Sequence, residues 1–236
     1  MSSTPTPGYG ERFYEGYGGL LNQYWWARRF YAQLIKRHKR SGRLLEIGCG
    51  LGHVLRRLEN DFETYGIDVS GYAIERASKN TPRSQLRVAT AEEAGSLPGP
   101  FDVIAAFHVV EHLEDPAAVL QACARMTAPG GILVIATPNT EAPFAKRKGD
   151  RWYANTDPTH CSLKPPREWI DLVQGAGYRI KRTFGDGLWD VPYVPLLPAK
   201  LQLLLFGLPG IVQTMTALPF IPVRFGEALI LVAERD

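Results

Sequence analysis

Apolar positions in this chain fall into short runs that alternate with stretches of helical spacing. Residues 44–47, 63–68, 85–88, 101–107 and 132–136 read as strands, the last two apolar almost throughout, as strands covered on both faces are. Between and around them, apolar residues recur at intervals of three and four over 20–39, 54–58, 72–78 and 117–126, which predicts helices. Pro129-Gly130-Gly131 reads as a turn. A further helix is expected over 165–176, ending at Gly177, and two more strands over 178–184 and 228–233. Strands alternating with helices imply an α/β fold with a largely parallel sheet.

The stretch that organises the rest is Arg43-Leu44-Leu45-Glu46-Ile47-Gly48-Cys49-Gly50-Leu51-Gly52-His53. A strand runs straight into glycines at alternate positions, where the backbone can take positive φ and lie bare against a ligand. A dinucleotide loop would read G-x-G-x-x-G and set a pyrophosphate on a helix N-terminus. Here the place of its last glycine is His53, and Glu46 precedes the first. An acid at that place repels a pyrophosphate and suits an ammonium, so the loop fits a nucleoside joined to a cationic amino acid. About 20 residues beyond the turn, Asp68 ends the second strand, placed to accept both hydroxyls of a ribose. The alternative for a lone Asp is a cap on the helix that follows.

Strand three leads to Thr90-Ala91-Glu92-Glu93, and strand four, Phe101-Asp102-Val103-Ile104 onward to Phe107, leads to His108-Val109-Val110-Glu111-His112. The order F-D-V-I, x-x-x-E-H, P-G-G-x-L-x-I, together with the glycine loop and Asp68, resembles the class I S-adenosylmethionine (SAM) methyltransferases over roughly residues 43–140. It is nearest in style to the ubiquinone-pathway O-methyltransferases and related small-molecule enzymes. The resemblance implies a Rossmann-like seven-stranded sheet, order 3-2-1-4-5-7-6, with strand 7 antiparallel and helices on both faces. It implies SAM as cofactor and S-adenosylhomocysteine (SAH) as product. Glu46 would hold the methionine ammonium, Gly48, Cys49, Gly50 and Gly52 would line the cofactor, Asp68 and Val69 would sit at its ribose, and Phe107 would close the end of strand four. The family often has an acid where this chain has Thr90, so adenine would be met by the backbone of Ala91, with Glu92 close by.

The histidine cluster leaves three readings open. His108-x-x-Glu111-His112 spells an inverted zinc-protease motif, but that needs a long helix and a further acid ligand downstream, and here a strand ends at Phe107 and Asp115-Pro116 breaks the chain soon after. His108 can take a proton from a hydroxyl acceptor, since imidazole titrates near neutrality. Alternatively His108, Glu111, His112 and the later His160 can hold a divalent ion, the imidazoles leaning toward zinc, manganese or iron rather than magnesium. The third reading is structural, with Glu111, His112 and His160 tying neighbouring loops.

Composition narrows the setting. A net charge of +3 gives no concentrated basic stripe for nucleic acid. Three cysteines without a C-x-x-C pair point to a reducing, cytoplasmic setting. Residues 1–10 are polar, lack an apolar signal core and are expected to form a flexible tail. Phe13, Tyr14, Tyr17, Tyr24, Trp25, Trp26, Phe30 and Tyr31 then mark a helix that either packs on the sheet edge or forms a lid over cofactor and acceptor. Residues 1–40 are thus read as tail and aromatic lid helix, and 41–236 as the SAM-binding domain.

That domain carries an apolar insertion at about 188–223, and residues 201–223 hold no charge at all. Pro209, Pro219 and Pro222 with Gly207 and Gly210 are expected to break it into short pieces, which argues against a membrane span despite its length. It is then a substrate-covering cap, a dimer face, or a patch that dips into a bilayer to reach a lipid acceptor. Lys146-Arg147-Lys148 and Arg151 would flank the same mouth, or simply be solvated. The expected protein is a monomer or homodimer, cytoplasmic or peripheral at a membrane. It would methylate a small-molecule or lipid-like acceptor at oxygen. Rival readings are a SAM-binding interaction subunit without transfer activity, and a nicotinamide-dependent oxidoreductase.

Overall fold

The structure, a computed structural model, describes Gly10, Tyr14 and residues 25–236, with the side chains of Trp25 and Trp26 set aside. The N-terminal tail, the first turn of the expected lid helix and its aromatics Phe13, Tyr17 and Tyr24 lie outside the described residues.

The strands are β1 (Gly42–Ile47), β2 (Phe62–Asp68), β3 (Gln85–Val88), β4 (Phe101–Phe107), β5 (Thr127–Pro138), β6 (Tyr178–Gly185) and β7 (Ala228–Arg235). They form a seven-stranded sheet in the order β3-β2-β1-β4-β5-β7-β6. β1, β2, β3, β4 and β5 pair in parallel, and β7 runs antiparallel to both β5 and β6. Both the order and the antiparallel strand agree with the expectation from sequence.

Side chains alternate across a strand, so neighbouring apolar residues serve opposite faces. Leu45, Ile104 and Leu133 pack on one face with Val119, Cys123, Trp169 and Val173 from α3 (Pro116–Met126) and α5 (Pro166–Gly175). Leu44, Val103 and Val134 pack on the other with Phe30, Leu34 and Ile35 from α1 (Trp25–His38). Two covered faces explain why the central strands are apolar throughout. The remaining helices are α2 (Gly71–Asn80), α4 (Ala145–Lys148) and α6 (Ala199–Thr216).

Three local expectations are corrected. Residues 54–58 form a single 3-10 turn, Leu55–Arg57, rather than a helix, because Asp61 and Phe62 both bond back to the Leu58 carbonyl and turn the chain into β2 at once. Pro129-Gly130-Gly131 lies inside β5 as a bulge, the register with β4 shifting between Phe101 and Val103 and Gly130 taking φ 70°. The insertion is not broken at Pro209: α6 is continuous for 18 residues. Pro209 stands on the exposed side of the helix, where water can satisfy the carbonyl it leaves unpaired. Gly210 is there for close approach, since a Cβ on it would lie 2.8 Å from the Asp186 carbonyl oxygen. Among the described residues no helix is long and apolar enough to cross a membrane.

Candidate active site

The parallel strands end along one edge of the sheet, and the loops that leave them there carry the predicted residues. Gly48, Gly50 and Gly52 all take left-handed backbone, with φ 68°, 52° and 76°. A Cβ on Gly48 would stand 2.3 Å from the Val109 side chain, so the turn demands glycine. The Cys49 side chain is buried in the core beneath the loop, its thiol 3.9 Å from the Gly50 carbonyl oxygen. At the turn, Asp68 accepts from Gly50 N at 2.9 Å, from Ser70 N at 2.9 Å and from the Tyr14 hydroxyl at 3.0 Å. Asp68 does not cap α2; Ser70 does, accepting from Ala73 N. The carboxylate is therefore left free to receive hydroxyls, as the Tyr14 contact illustrates. Val69 is half-buried between these two residues.

Glu46 is 4% exposed and its Oε2 has no hydrogen-bond partner. Burial pushes its carboxyl up to about 8, against the pull of the Leu55 N–H and of the nearby Arg28 guanidinium. Arg28 comes from α1, and it also helps to drive His53 down to about 4, after burial as the main cause. A buried acid beside an Arg, with a bare glycine turn between them and Asp68, matches the two charges of a free amino acid and the sugar of a nucleoside. At the third strand Ala91 is buried, while Thr90 and Glu93 cap each other reciprocally, Thr90 N to Glu93 Oε2 at 2.8 Å and Glu93 N to Thr90 Oγ1 at 3.4 Å. Glu92 is exposed on the turn they hold.

A second group gathers at the end of β4. Tyr31 of α1 stacks on Phe107 with ring centroids 4.1 Å apart, and its hydroxyl reaches His108 Nε2 at 3.3 Å. His108 itself takes φ 55°, a strained conformation for a residue with a Cβ. Its Nδ1 lies 3.4 Å from Glu111 Oε1. Burial disfavours the imidazolium, but the Glu111 carboxylate outweighs it and holds His108 above the usual histidine range.

The four residues singled out as a possible metal set divide. Glu111, His112 and His160 bring one ligand atom each within 4.8 Å of one another; His108 is not among them. The physical reason is the backbone: His108 precedes the 3-10 turn Val110–His112 and takes φ 55°, which sets its ring between the Tyr31 hydroxyl and Glu111 rather than with His112 and His160. His160 Nδ1 lies 2.6 Å from the Ala154 carbonyl oxygen, and His112 Nδ1 lies 2.9 Å from the Thr159 hydroxyl. His160 Nε2 lies 4.0 Å from Asp157 Oδ2.

Sequence reasoning missed three acids and bases that the fold brings in. Arg28 carries no motif spacing. Asp186 follows β6, bonds Ala228 N at 2.7 Å and is pushed up to about 6 by burial, within the field of His108. Glu227 is fully buried and accepts from Trp152 Nε1 at 2.9 Å and from the Tyr193 hydroxyl. Asp186 and Glu227 flank the apolar insertion, and no spacing or motif in the sequence marks them.

A family model described as methyltransferase domain matches residues 22–182, well over half of the chain. The chain belongs to this methyltransferase family. Its relatives include a ubiquinone biosynthesis O-methyltransferase of Caulobacter sp. (strain K31), 36% identical over 45% of this chain and 48% of the relative. Among solved structures, a SAM-dependent methyltransferase of Thermotoga maritima, a possible histamine N-methyltransferase, superposes with TM-score 0.63 at 19% identity, covering 94% of this chain and 98% of the other. The plantazolicin methyltransferase BpumL in complex with SAH gives TM-score 0.66 at 17% identity, over 97% and 91% of the two chains. The methyltransferase spans from about half to under two thirds of the length of the curated relatives it matches. Its buried Glu46 with an unpartnered Oε2, its bare glycine turn and the accepting Asp68 fit SAM as the cofactor.

Proposed function

We propose that this methyltransferase carries a methyl group from SAM to a hydroxyl oxygen of a small, largely apolar acceptor. The observation that supports it most is His108, whose Nε2 meets a hydroxyl at 3.3 Å at the end of β4. SAM supplies a methyl group already activated on a sulfonium, so the protein's task is orientation and exclusion of water. Glu46 takes the ammonium of the methionine end and Arg28 its carboxylate. Asp68 accepts the ribose hydroxyls, and the backbone at Ala91 meets the adenine. The Glu111 carboxylate holds the proton of His108 on Nδ1, which leaves Nε2 as the atom that receives the acceptor's proton. The Tyr31 hydroxyl marks where the acceptor hydroxyl would sit. Label transfer from methyl-labelled SAM to panels of hydroxyl, amine and thiol acceptors tests the assignment. Incorporation into phenols or alcohols supports it, and incorporation confined to amines or thiols overturns it.

Arg28→Ala is expected to weaken SAM binding about ten- to hundredfold through loss of a charge-assisted bond, read by calorimetry, while the kcat of the saturated enzyme changes much less.

A second reading is favoured by a separate observation: Oε2 of the fully buried Glu111 has no hydrogen-bond partner, and Oε1 has only the His108 Nδ1 contact at 3.4 Å. Glu111, His112 and His160 fit a divalent ion, with the imidazole orientations fixed through Nδ1 as metal-binding histidines usually are. Such an ion would act as a Lewis acid on the acceptor oxygen. Elemental analysis of the purified protein and EDTA treatment decide it. Stoichiometric metal that is lost in His160→Ala together with activity is the expected result, and full activity of metal-free His160→Ala contradicts it.

A further inference from the structure

The helix α6 is built inside out. Its two glutamines point inward: Gln202 is 0% exposed and Gln213 is 1% exposed. Each ties the insertion's own backbone, Gln202 bonding Tyr193 N, Val194 N and the Leu197 carbonyl, and Gln213 bonding Gly185 O, Phe220 N and Ile221 N. The aliphatic residues point outward instead. Leu201, Leu204, Leu208, Ile211 and Met215, spaced three and four apart, form one stripe along the helix, each 42–67% exposed. Burying glutamines under a row of exposed leucines wastes apolar area in water, so the stripe has a partner.

The observations favour one partner. The stripe is wider than the narrow seam that a second helix would cover, since Leu205 and Val212 extend it sideways, and Phe220 and Phe225 continue it beyond the helix. The charges at its two ends are cationic. Lys200 and Arg224 stand at the two ends of the charge-free segment, and Arg37 reaches the helix C-terminus at Thr216 O. Lys146 and Arg147 lie on α4, which touches α6 through Phe144 and Phe206, and both are exposed. Of the acids nearby, Asp186 is half-buried, Glu227 is buried and Asp190 pairs with Lys148 at 2.6 Å, while Glu141 and Asp150, which flank α4, are exposed. A wide aliphatic face with a cationic rim complements an anionic bilayer surface. A symmetric second copy would set the same cationic rim against itself.

We propose that α6 and the segment up to Phe225 dock this protein onto anionic membranes, the aliphatic stripe entering the headgroup boundary and the rim cations meeting lipid phosphates. The helix lies in the plane of the surface; at 18 residues with inward glutamines it does not span. The inference stands on this surface alone and holds whichever acceptor the enzyme uses.

The test is co-sedimentation of the full chain with vesicles of phosphatidylcholine alone and of phosphatidylcholine with phosphatidylglycerol, with size-exclusion light scattering alongside. Binding to the anionic vesicles, falling about fivefold for each of Lys200→Glu and Arg224→Glu and weakening with salt, is expected. Leu204→Glu/Leu208→Glu should lower partitioning about tenfold or more with an unchanged melting temperature, since both side chains are already exposed. Failure of the wild-type chain to bind either vesicle overturns the proposal. So does a vesicle-indifferent dimer that the double leucine variant converts to monomer, which would assign the stripe to a second copy.

Discussion

Replacing His108 with glutamine is expected to lower kcat by about 10²–10³ while leaving the SAM dissociation constant within about twofold, the size of effect that loss of a general base produces. Glutamine keeps much of the length and polarity of the imidazole but accepts no proton at neutral pH. The contrast between the two measurements matters. His108 sits at the end of β4, the proposed acceptor side, with Tyr31 at its Nε2 and Glu111 at its Nδ1, whereas Glu46 and Asp68, proposed for the donor side, belong to β1 and β2. Single-turnover kinetics with saturating SAM and a hydroxyl acceptor supply kcat, and calorimetry supplies the binding constant. A variant that binds SAM far more weakly while turning over at the wild-type rate would move His108 from the acceptor half of the site to the donor half.

Glu46→Gln is expected to act in opposite directions on binding and stability. Burial holds the Glu46 carboxyl at about 8 against an ordinary 4.5. The folded apo protein therefore keeps a proton across that interval that the unfolded chain has already released. Stability falls as pH rises from about 4.5 to about 8, and above it the whole penalty is present, on the order of a few kcal/mol. Glutamine removes the charge and can still accept the Leu55 N–H. Above pH 8 the apo variant should melt roughly 5–10 °C higher than the wild type, as a few kcal/mol implies for a chain of this length. SAM binding should weaken about ten- to hundredfold, because the methionine ammonium loses its charged partner. Thermal melts at pH 6 and pH 9, with and without SAM, read both effects. A variant less stable than the wild type at pH 9 that binds SAM normally would contradict the assignment of Glu46.

The donor half of the site was legible because it depends on consecutive residues. The glycine turn needs left-handed backbone at Gly48, Gly50 and Gly52, and only glycine supplies that freely, so the constraint is written into the local sequence. Asp68 ends a strand whose length and spacing are equally local. The strand order follows from the family resemblance, and the apolar runs of β4 and β5 from their two covered faces.

What the sequence concealed is held by distant contacts. Arg28 and Tyr31 reach the site because α1 packs over the sheet, and Asp186 does so because α6 presses on the loop behind it. Pro209, Gly207 and Gly210 looked like helix breakers on propensity. In the fold, exposure relieves the proline and close packing against Leu188 and Asp186 employs the glycines. The histidine motif misled in a different way. Spacing placed His108 with Glu111 and His112 on one helical face, but a positive φ at His108 sets its ring between Tyr31 and Glu111, apart from His112 and His160.

The central claim is that the loop from Glu46 to Gly52, with Asp68, binds SAM. Calorimetric titration of the full chain with SAM and, separately, with NAD tests it most directly. Saturable binding of SAM is expected, with a loss of about a hundredfold or more in Asp68→Ala, where the ribose hydroxyls lose a charged acceptor, and no heat with NAD. Binding of NAD without SAM, or SAM affinity untouched in Asp68→Ala, would contradict it.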